Sequence, residues 1–232
     1  MQVVQEIIQH AKDHKRTVHV TWFDLQDAFG SVSHDLIPLV LKHYNLPPDI
    51  INYINNIYSK LQGRVVTKDW ESEVFKFKRG VFQGDPYSST IFLIVFNPLI
   101  QYIKLNKDKF GYNLNENFVN TTPFADDFNI ISRNKTQHQK FIHNIEQKVA
   151  SMGLILKPSK CKSLSIQAGK SNDVTFVLED DKQVKTHIET LTESLYKFLG
   201  SLITFNSKPQ DYFDHLSNIF KDKLENIDTS KV

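Results

Sequence analysis

The 232-residue sequence predicts a mixed α+β domain. Apolar residues recur at helical spacing in some segments and alternate in others, which indicates both kinds of element. The elements do not follow the regular strand–helix alternation that builds a parallel doubly wound sheet. The hydrophobic fraction of 40% is enough for one sizeable core. After an opening helix, the predicted order is one strand, two helices, two strands, one helix, two strands, one helix and three strands.

Periodicity and turn residues place the elements of the first half of the chain. They are a helix around residues 3–11, a strand over 17–25 that ends at Asp24, a helix from Ser33 or His34 to Tyr44, a helix that begins at Pro48, and a hairpin of strands 64–70 and 74–78. Proline suits the first turn of a helix because the N–H that it lacks has no helical partner there.

The same signals place the elements of the second half. They are a loop around Gly80 and residues 84–86, a helix over 87–102 that Pro98 ends or kinks, a strand–turn–strand unit over 118–132, a helix over 137–152 that Gly153 ends, short strands near 163–167, 174–178 and 196–204, and a helical tail over 210–232.

Composition bounds the class of protein. The net charge is only +2, so any nucleic-acid binding depends on local clusters of basic residues. The single cysteine, Cys161, excludes an internal disulfide and a cysteine-rich zinc site. The longest fully apolar run, residues 91–96, is far short of a membrane span. We therefore expect no membrane association and an intracellular location, in the cytoplasm, the nucleus or both.

Two adjacent carboxylates, Asp126 and Asp127, are the sharpest local feature. Mostly apolar residues surround them. Neighbouring side chains of a strand point to opposite faces, so this pair shares a site only at a tight turn. Like charges this close repel unless cations separate them, and hard oxygen ligands favour Mg²⁺ or Mn²⁺. The pair indicates a divalent-metal site, and a solvated β-turn is the alternative interpretation.

Asp24 is a third carboxylate in an unusual position. It follows the apolar run Val-His-Val-Thr-Trp-Phe, where a charge is unfavourable unless it is paired or bound to a cation. We expect it to end a strand beside the Asp126 turn. The alternative is a local cap, because Asp27 and Ser31 lie nearby.

The loop over residues 79–88 has the sequence Arg-Gly-Val-Phe-Gln-Gly-Asp-Pro-Tyr-Ser. Glycine lets the backbone approach a ligand, and Gln83 supplies both a donor and an acceptor. Arg79 adds a positive charge suited to phosphate. An ordinary loop ahead of a helix is the alternative.

Five segments stand in the order of the reverse-transcriptase motifs, and together they resemble that family over nearly the whole chain. They are Phe-Asp-Leu-Gln-Asp-Ala-Phe at 23–29 (motif A), the loop at 79–88 (motif B), Phe-Ala-Asp-Asp at 124–127 (motif C), Gly-Leu-Ile-Leu-Lys-Pro-Ser-Lys at 153–160 (motif D) and Tyr-Lys-Phe-Leu-Gly at 196–200 (motif E). The Ser-Val-Ser-His run at 31–34 and the Gln-Gly-Asp-Pro form of motif B resemble the non-LTR (LINE-type) retrotransposon branch, and group II intron enzymes share much of this pattern.

The resemblance implies a polymerase palm, with an RRM-like antiparallel sheet packed on helices. Residues 1–205 would form the palm with partial fingers at about 34–79. Residues 206–232 would be a truncated helical segment at the start of the thumb. The chain begins about one helix before motif A, so we expect weak or no polymerase activity from these residues alone.

The implied activity is RNA-directed DNA polymerisation, in which a dNTP is added to a DNA primer 3′-hydroxyl on an RNA template. By resemblance, Asp24 and Asp126 would hold two Mg²⁺ or Mn²⁺ ions, with Asp127 in support and the Leu25 carbonyl as a further ligand. Lys160 would be the general acid for pyrophosphate, and a surface lysine is the alternative. No oligomeric state is predicted.

Other site residues follow from the same resemblance. Gln83 and Gly84 would shape the nucleotide pocket. Phe29 would be a steric gate against the ribose 2′-hydroxyl, with a core phenylalanine as the alternative. The remaining candidate contacts to nucleic acid are Lys76, Lys78, Arg79, Tyr196, Leu199 and Gly200.

The sequence also departs from the family pattern. The differences lie at Gly30, Phe82, Ser89, Pro123 and Lys157, and none removes a metal ligand. They leave two alternatives open. The first is an inactive or domesticated remnant that only binds nucleic acid, and the second is an RNA-dependent RNA polymerase, which Phe29 and motif B disfavour.

Overall fold

The computed structural model describes residues 2–179, 184–192, 196–198 and 201–203, together with Phe205, Ser217 and Lys221. Within them the helices are α1 (Gln2–Asp13), α2 (Ala28–Ser31), α3 (Leu36–His43), α4 (Pro48–Ser59), α5 (Ser88–Leu105), α6 (Lys107–Phe110) and α7 (Lys135–Ser151), with a 3₁₀ turn at Pro158–Lys160. The strands are β1 (Val18–Phe23), β2 (Gln62–Gly63), β3 (Phe75–Lys76), β4 (Tyr112–Leu114), β5 (Asn117–Val119), β6 (Phe128–Ser132), β7 (Lys162–Gln167), β8 (Lys170–Ser171), β9 (Phe176–Glu179), β10 (Lys185–Thr190), β11 (Tyr196–Phe198) and β12 (Ser201–Ile203).

The main sheet has the strand order β6-β1-β7-β10-β9, and β8 pairs with β7. Its pairings are antiparallel except for β7 with β10, which run parallel. Three two-stranded units accompany it: β2–β3, β4–β5 and β11–β12. The predicted fold is confirmed, with helices packed on a largely antiparallel sheet.

Strand β1 lies inside the sheet and is buried at all six residues. One face, with Val18, Val20 and Trp22, packs in the same core cluster as the buried side of α1. The other face carries Phe23, which joins the apolar cluster of α5 and α7. The predicted strand is therefore confirmed, and helices on both sides explain why its polar residues are buried as well.

Two neutral histidines occupy that second face. His138 of α7 contacts Thr21 Oγ1 through Nε2 at 2.8 Å and Ser132 Oγ through Nδ1 at 2.6 Å. His19 Nδ1 lies 2.9 Å from Ser165 Oγ. Burial lowers the pKa of His19 to about 4, and burial together with His19 holds the pKa of His138 well below its usual range. The hydroxyl partners satisfy the buried ring nitrogens without adding charge.

Strand β9 is an edge strand whose backbone groups are covered by a side chain. Gln139 Nε2 donates to the Val177 carbonyl at 2.7 Å, and the Val177 N–H donates to Gln139 Oε1 at 3.0 Å. The amide therefore takes the place of a neighbouring strand, which blunts an edge that would otherwise pair with another chain.

The predicted hairpin of strands 64–70 and 74–78 is wrong in register and extent. Pairing joins Gln62–Gly63 to Phe75–Lys76, and Val66 meets Glu71 only as an isolated bridge. Val66 and Trp70 are exposed, so no buried face holds longer strands together.

Pro98 was predicted to end or kink the helix over 87–102, and it does not end it. Helix α5 runs on to Leu105 with Pro98 inside it. Val95, Phe96 and Leu99 are buried around this position, and their burial outweighs the one backbone hydrogen bond that proline removes. By length and composition alone α5 is able to cross a membrane, but its eight buried residues are those of a core helix.

Other differences lie in the second half of the chain. Residues 120–123 form no strand ahead of the Asp126 turn, and the hairpin β4–β5 and the strand β10 were not predicted. The single strand expected at 196–204 is the hairpin β11–β12. The predicted helical tail over 210–232 lies outside the described residues, apart from Ser217 and Lys221, which are helical.

Lowering the pH from 7 to 5 will destabilise the fold because His19 and His138 stay neutral in the native state. Their folded pKa values lie below the ordinary 6.5, so the unfolded chain gains protons first and stability falls as the pH drops. The lowered pKa of His19 contributes about 2 kcal/mol over this window, and the lowered pKa of His138 acts in the same direction. Urea denaturation at the two pH values measures the change.

The matched control is His187→Gln, since His187 is an exposed histidine of β10. That variant is expected to keep the wild-type pH dependence. Equal or greater stability of the wild-type chain at pH 5 would show that the two core histidines are not held neutral.

Candidate active site

The pairing of β1 with β6 brings the three predicted carboxylates to one end of the sheet. The register places Phe23 opposite Phe128. Continued by one residue, it places Asp24 opposite Asp127, and Asp126 follows in the adjoining turn. The prediction that Asp24 ends its strand beside this turn is confirmed.

The turn itself is tight. The Phe124 N–H donates to the Asp127 carbonyl at 2.8 Å, and the Asp127 N–H donates to the Phe124 carbonyl at 3.0 Å. Ala125, the first central residue, has a φ of 53°. A positive φ at this position matches the twist of a two-residue hairpin, so the turn fits the end of a twisted strand pair. Pro123 precedes the turn, where a missing N–H costs no ladder bond because these residues form no strand.

Charge accumulates at this end of the sheet. Burial first, then the Asp126 and Asp24 carboxylates, raise the pKa of Asp127 above its ordinary value. Among the described residues, no three His, Cys, Asp or Glu side chains are already close enough to hold a metal ion. The donor set is nevertheless suited to a hard divalent cation, because it offers carboxylate oxygens whose mutual repulsion a cation would relieve.

The motif D segment is joined to Asp24 and its neighbours through the backbone. The Lys157 N–H donates to the Asp24 carbonyl, and the Gln26 N–H donates to the Ile155 carbonyl, each at 2.8 Å. Leu25 faces Leu156 between these two bonds. In such a pair the Leu25 carbonyl is not used by the ladder, so it is compatible with its predicted role as a ligand.

Lys160 follows in the 3₁₀ turn and reaches the carboxylates. Its Nζ lies 3.6 Å from Asp24 Oδ2, and 58% of the lysine side chain is exposed. Such an exposed ion pair stabilises the fold little. The position is consistent with the predicted role of Lys160 beside the reacting groups.

Phe29 lies in α2, five residues after Asp24, and is partly buried. Its ring stacks on Phe92 of α5, with 4.8 Å between ring centroids and an angle of 11°. The Val81 N–H donates to the Phe29 carbonyl at 2.9 Å, which fixes the backbone next to the motif B loop. The predicted steric gate and the alternative of a core phenylalanine thus both have support, because Phe29 packs against the core and is only partly buried.

The motif B loop leaves its two predicted pocket residues exposed. Gln83 and Gly84 are accessible, and Gly84 adopts a φ of 96° with open space where a side chain would lie. Asp85 has a local role that the sequence analysis missed. Its Oδ1 accepts a hydrogen bond from the Tyr87 N–H at 3.1 Å, just ahead of α5. An Asp two residues before the predicted helix start at Tyr87 was the available signal.

The basic residues predicted to contact nucleic acid differ in their surroundings. Arg79 donates through Nη1 to the Gly153 carbonyl at 2.9 Å, so it links motif B to motif D. Lys76 and Lys78 are exposed. Leu199 and Gly200 lie outside the described residues.

Tyr196, the remaining predicted contact, lies near the carboxylates. Its ring packs 5.5 Å from that of Trp22. Burial first, then Asp127, Cys161 and Asp24, raise the pKa of Tyr196 to about 12. The sequence placed Tyr196 in motif E but gave no sign of this proximity, which depends on how β11 folds back over β1.

Curated relatives share sequence similarity with this chain over most of its length. A retrovirus-related Pol polyprotein from the type-2 retrotransposable element R2DM of Drosophila melanogaster is 28% identical over 177 residues, covering 76% of this chain and 16% of that protein. One from the type-1 retrotransposable element R2 of Bradysia coprophila is 26% identical over 229 residues, covering 94% and 25%. The chain therefore spans a quarter or less of these relatives, and the predicted non-LTR branch is confirmed.

Solved structures agree with the fold. Apo telomerase from Candida tropicalis matches with a TM-score of 0.57 at 14% identity, covering 88% of this chain and 35% of that chain. Telomerase from the same species in complex with a fragment of telomeric RNA matches with a TM-score of 0.53 at 18% identity, covering 80% and 32%. At these identities the likeness shows the palm-type polymerase fold alone.

The sequence model of one family extends over most of the chain. Its description is reverse transcriptase (RNA-dependent DNA polymerase), and it matches residues 1–216. The five motifs fall within this match, including the carboxylates at the ends of β1 and β6. The chain belongs to the reverse transcriptase (RNA-dependent DNA polymerase) family.

Proposed function

We propose that this chain is the palm of a retrotransposon RNA-directed DNA polymerase and that it adds dNTPs to a DNA primer 3′-hydroxyl on an RNA template. One observation carries the proposal. The β1–β6 register ends with Phe23 opposite Phe128, so Asp24 and Asp127 directly follow paired residues and Asp126 stands in the adjoining turn. Family membership favours DNA synthesis over the RNA-polymerase alternative.

The carboxylates are the proposed metal ligands. Asp24 and Asp126 would hold two Mg²⁺ or Mn²⁺ ions, with Asp127 and the Leu25 carbonyl in support. Bound there, the ions supply Lewis-acid stabilisation of the charge on the attacking and leaving oxygens. Burial first, then the Asp126 and Asp24 carboxylates, raise the pKa of Asp127, and a bound cation would offset the part that comes from the neighbouring negative charges.

The other site residues bind and orient the substrates. The exposed Gln83 and Gly84 would border the incoming nucleotide, and Phe29 would meet its sugar. Lys160, beside Asp24, would donate a proton to the departing pyrophosphate. Lys76 and Lys78 would contact phosphates of the template or primer.

The proposed division of the chain rests on the resemblance to the family. We assign residues 1–205 to the palm, with partial fingers at about 34–79, and residues 206–232 to the start of a thumb. An RNA template as partner is supported by the telomerase neighbour that was solved with RNA. The proposed location is the cytoplasm, the nucleus or both, where an RNA template and a DNA primer are present.

Single-nucleotide extension on a poly(rA)/oligo(dT) duplex tests the proposed reaction. Purified chain with Mg²⁺ or Mn²⁺ is expected to give weak extension rather than processive synthesis. Asp24→Asn and Asp126→Asn will each abolish extension, because each removes one proposed ligand charge. Asp173→Asn, which changes an exposed carboxylate of the β8–β9 connection, is the matched control and will retain it. No extension by a folded wild-type chain would favour the alternative of an inactive remnant, and extension that survives Asp24→Asn would contradict the proposed metal ligands.

Replacing Phe29 with alanine tests its role at the sugar. Loss of the ring opens space where a 2′-hydroxyl would lie, so preference for dNTP over rNTP will fall by at least about tenfold. Competition between labelled dTTP and UTP in the extension assay measures this ratio.

Phe92→Leu is the control for Phe29→Ala, since it loosens the stack beneath Phe29 but keeps the Phe29 ring. It will keep most of the sugar preference. An unchanged preference in Phe29→Ala would assign Phe29 to the core alone.

A further inference from the structure

Residues 29–34, which begin at the last residue of motif A, are joined to residues 78–81, which include the first residues of motif B. The Val81 N–H donates to the Phe29 carbonyl at 2.9 Å, and the Gly80 N–H donates to the Val32 carbonyl at 2.8 Å. These backbone bonds connect the two segments that carry the proposed sugar gate and the proposed nucleotide loop. They lie side by side although 46 positions separate residues 34 and 80 along the chain.

One side chain spans the same junction. His34 Nε2 lies 2.8 Å from the Gly80 carbonyl oxygen. A carbonyl only accepts hydrogen bonds, so Nε2 must carry the proton and donate it. The His34 backbone N–H also donates, to the Lys78 carbonyl at 3.2 Å. His34 thus contacts the start of the loop with both its backbone and its ring.

The His34 ring is fixed on its other side. It packs against the ring of Tyr58, with 4.9 Å between centroids, and Tyr58 of α4 is only 4% exposed. Helix α4 packs on α3, so the imidazole is held between the buried Tyr58 of α4 and the loop. A ring in this position keeps its donor aimed at one acceptor at little further cost in side-chain entropy.

Gly80 is the residue whose position matters. Its φ is 96°, and a side chain there would come within 3.3 Å of the Gly30 carbonyl. The Gly80 backbone therefore lies close to Gly30, next to motif A, in a conformation that few residues adopt. Only three positions later stands Gln83, in an exposed stretch that includes the open Gly84. A shift at Gly80 would move Gln83 relative to Phe29.

We propose that His34 is a positioning residue of the nucleotide site. By donating Nε2–H to the Gly80 carbonyl, it holds the start of the motif B loop beside motif A. It thereby fixes the spacing between Gln83 and Phe29. The proposal rests on the nucleotide-binding role proposed above. His34 itself contacts the loop rather than the substrate.

The test compares His34→Phe with His34→Gln in the full chain. Phenylalanine keeps a ring against Tyr58 but removes the donor, whereas glutamine supplies an amide donor of similar reach. Binding of dTTP with Mg²⁺ to the chain on poly(rA) with a dideoxy-terminated oligo(dT) primer is measured at equilibrium, so no turnover is needed. His34→Phe is expected to weaken binding about tenfold, and His34→Gln to recover most of it.

One further measurement, hydrogen exchange, separates failure of the proposed function from failure of the positioning role. Hydrogen exchange of residues 79–84 without nucleotide is expected to speed up in His34→Phe and not in the control His43→Phe, which changes an exposed histidine of α3. If the wild-type chain binds no dTTP, the proposed function fails. Faster hydrogen exchange of residues 79–84 in His34→Phe would in that case still support the contact between His34 and Gly80. If wild type and His34→Phe bind dTTP equally, or exchange is unchanged, the positioning role is overturned.

Discussion

The antiparallel pairing of β1 with β6 is the constraint on which the rest of the site depends. A strand pair has only discrete registers, and a slip of one residue would turn every side chain to the other face. Here the register is fixed by burial on both faces, with Trp22 toward α1 and Phe23 toward α5 and α7. Because Phe23 pairs with Phe128 at the end of this register, Asp24 and Asp127 are the next residues of the two paired segments. Packing of the core thereby determines which carboxylates share the site.

The same arrangement concentrates unfavourable electrostatics where chemistry is proposed. Asp127 carries a raised pKa from burial and two neighbouring carboxylates, and Lys160 supplies a weak, exposed counter-charge. Deeper in the sheet, His19 and His138 are held neutral by burial and hydroxyl partners. The rings of His19 and His138 in the core are thus neutral and hydrogen-bonded, whereas carboxylates collect at the strand ends, where the divalent cations are proposed. This division is typical of a functional site on a rigid scaffold.

The sequence predicted the parts of the fold that depend on local pattern. The helices with strong periodicity and strand β1 were found because each buries a regular apolar face. The carboxylates were found because charges in apolar surroundings are unusual. The hairpin at 62–76 was misplaced because its strands are only two residues long and its apolar residues are exposed. The alternation of apolar and polar residues therefore did not indicate which residues pair. The links from Arg79 to Gly153, His34 to Gly80 and Tyr196 to Trp22 join distant segments, and no local pattern marks them.

The central claim is that the β1–β6 register gathers three carboxylates into one divalent-metal site. Titration of Mn²⁺ into ¹⁵N-labelled chain, followed by paramagnetic broadening of backbone resonances, tests it most directly and needs no catalysis. The account predicts that broadening begins at residues 24–26 and 124–128 and weakens strongly in Asp24→Asn. Broadening centred elsewhere, or broadening at these residues that Asp24→Asn leaves unchanged, would contradict the account.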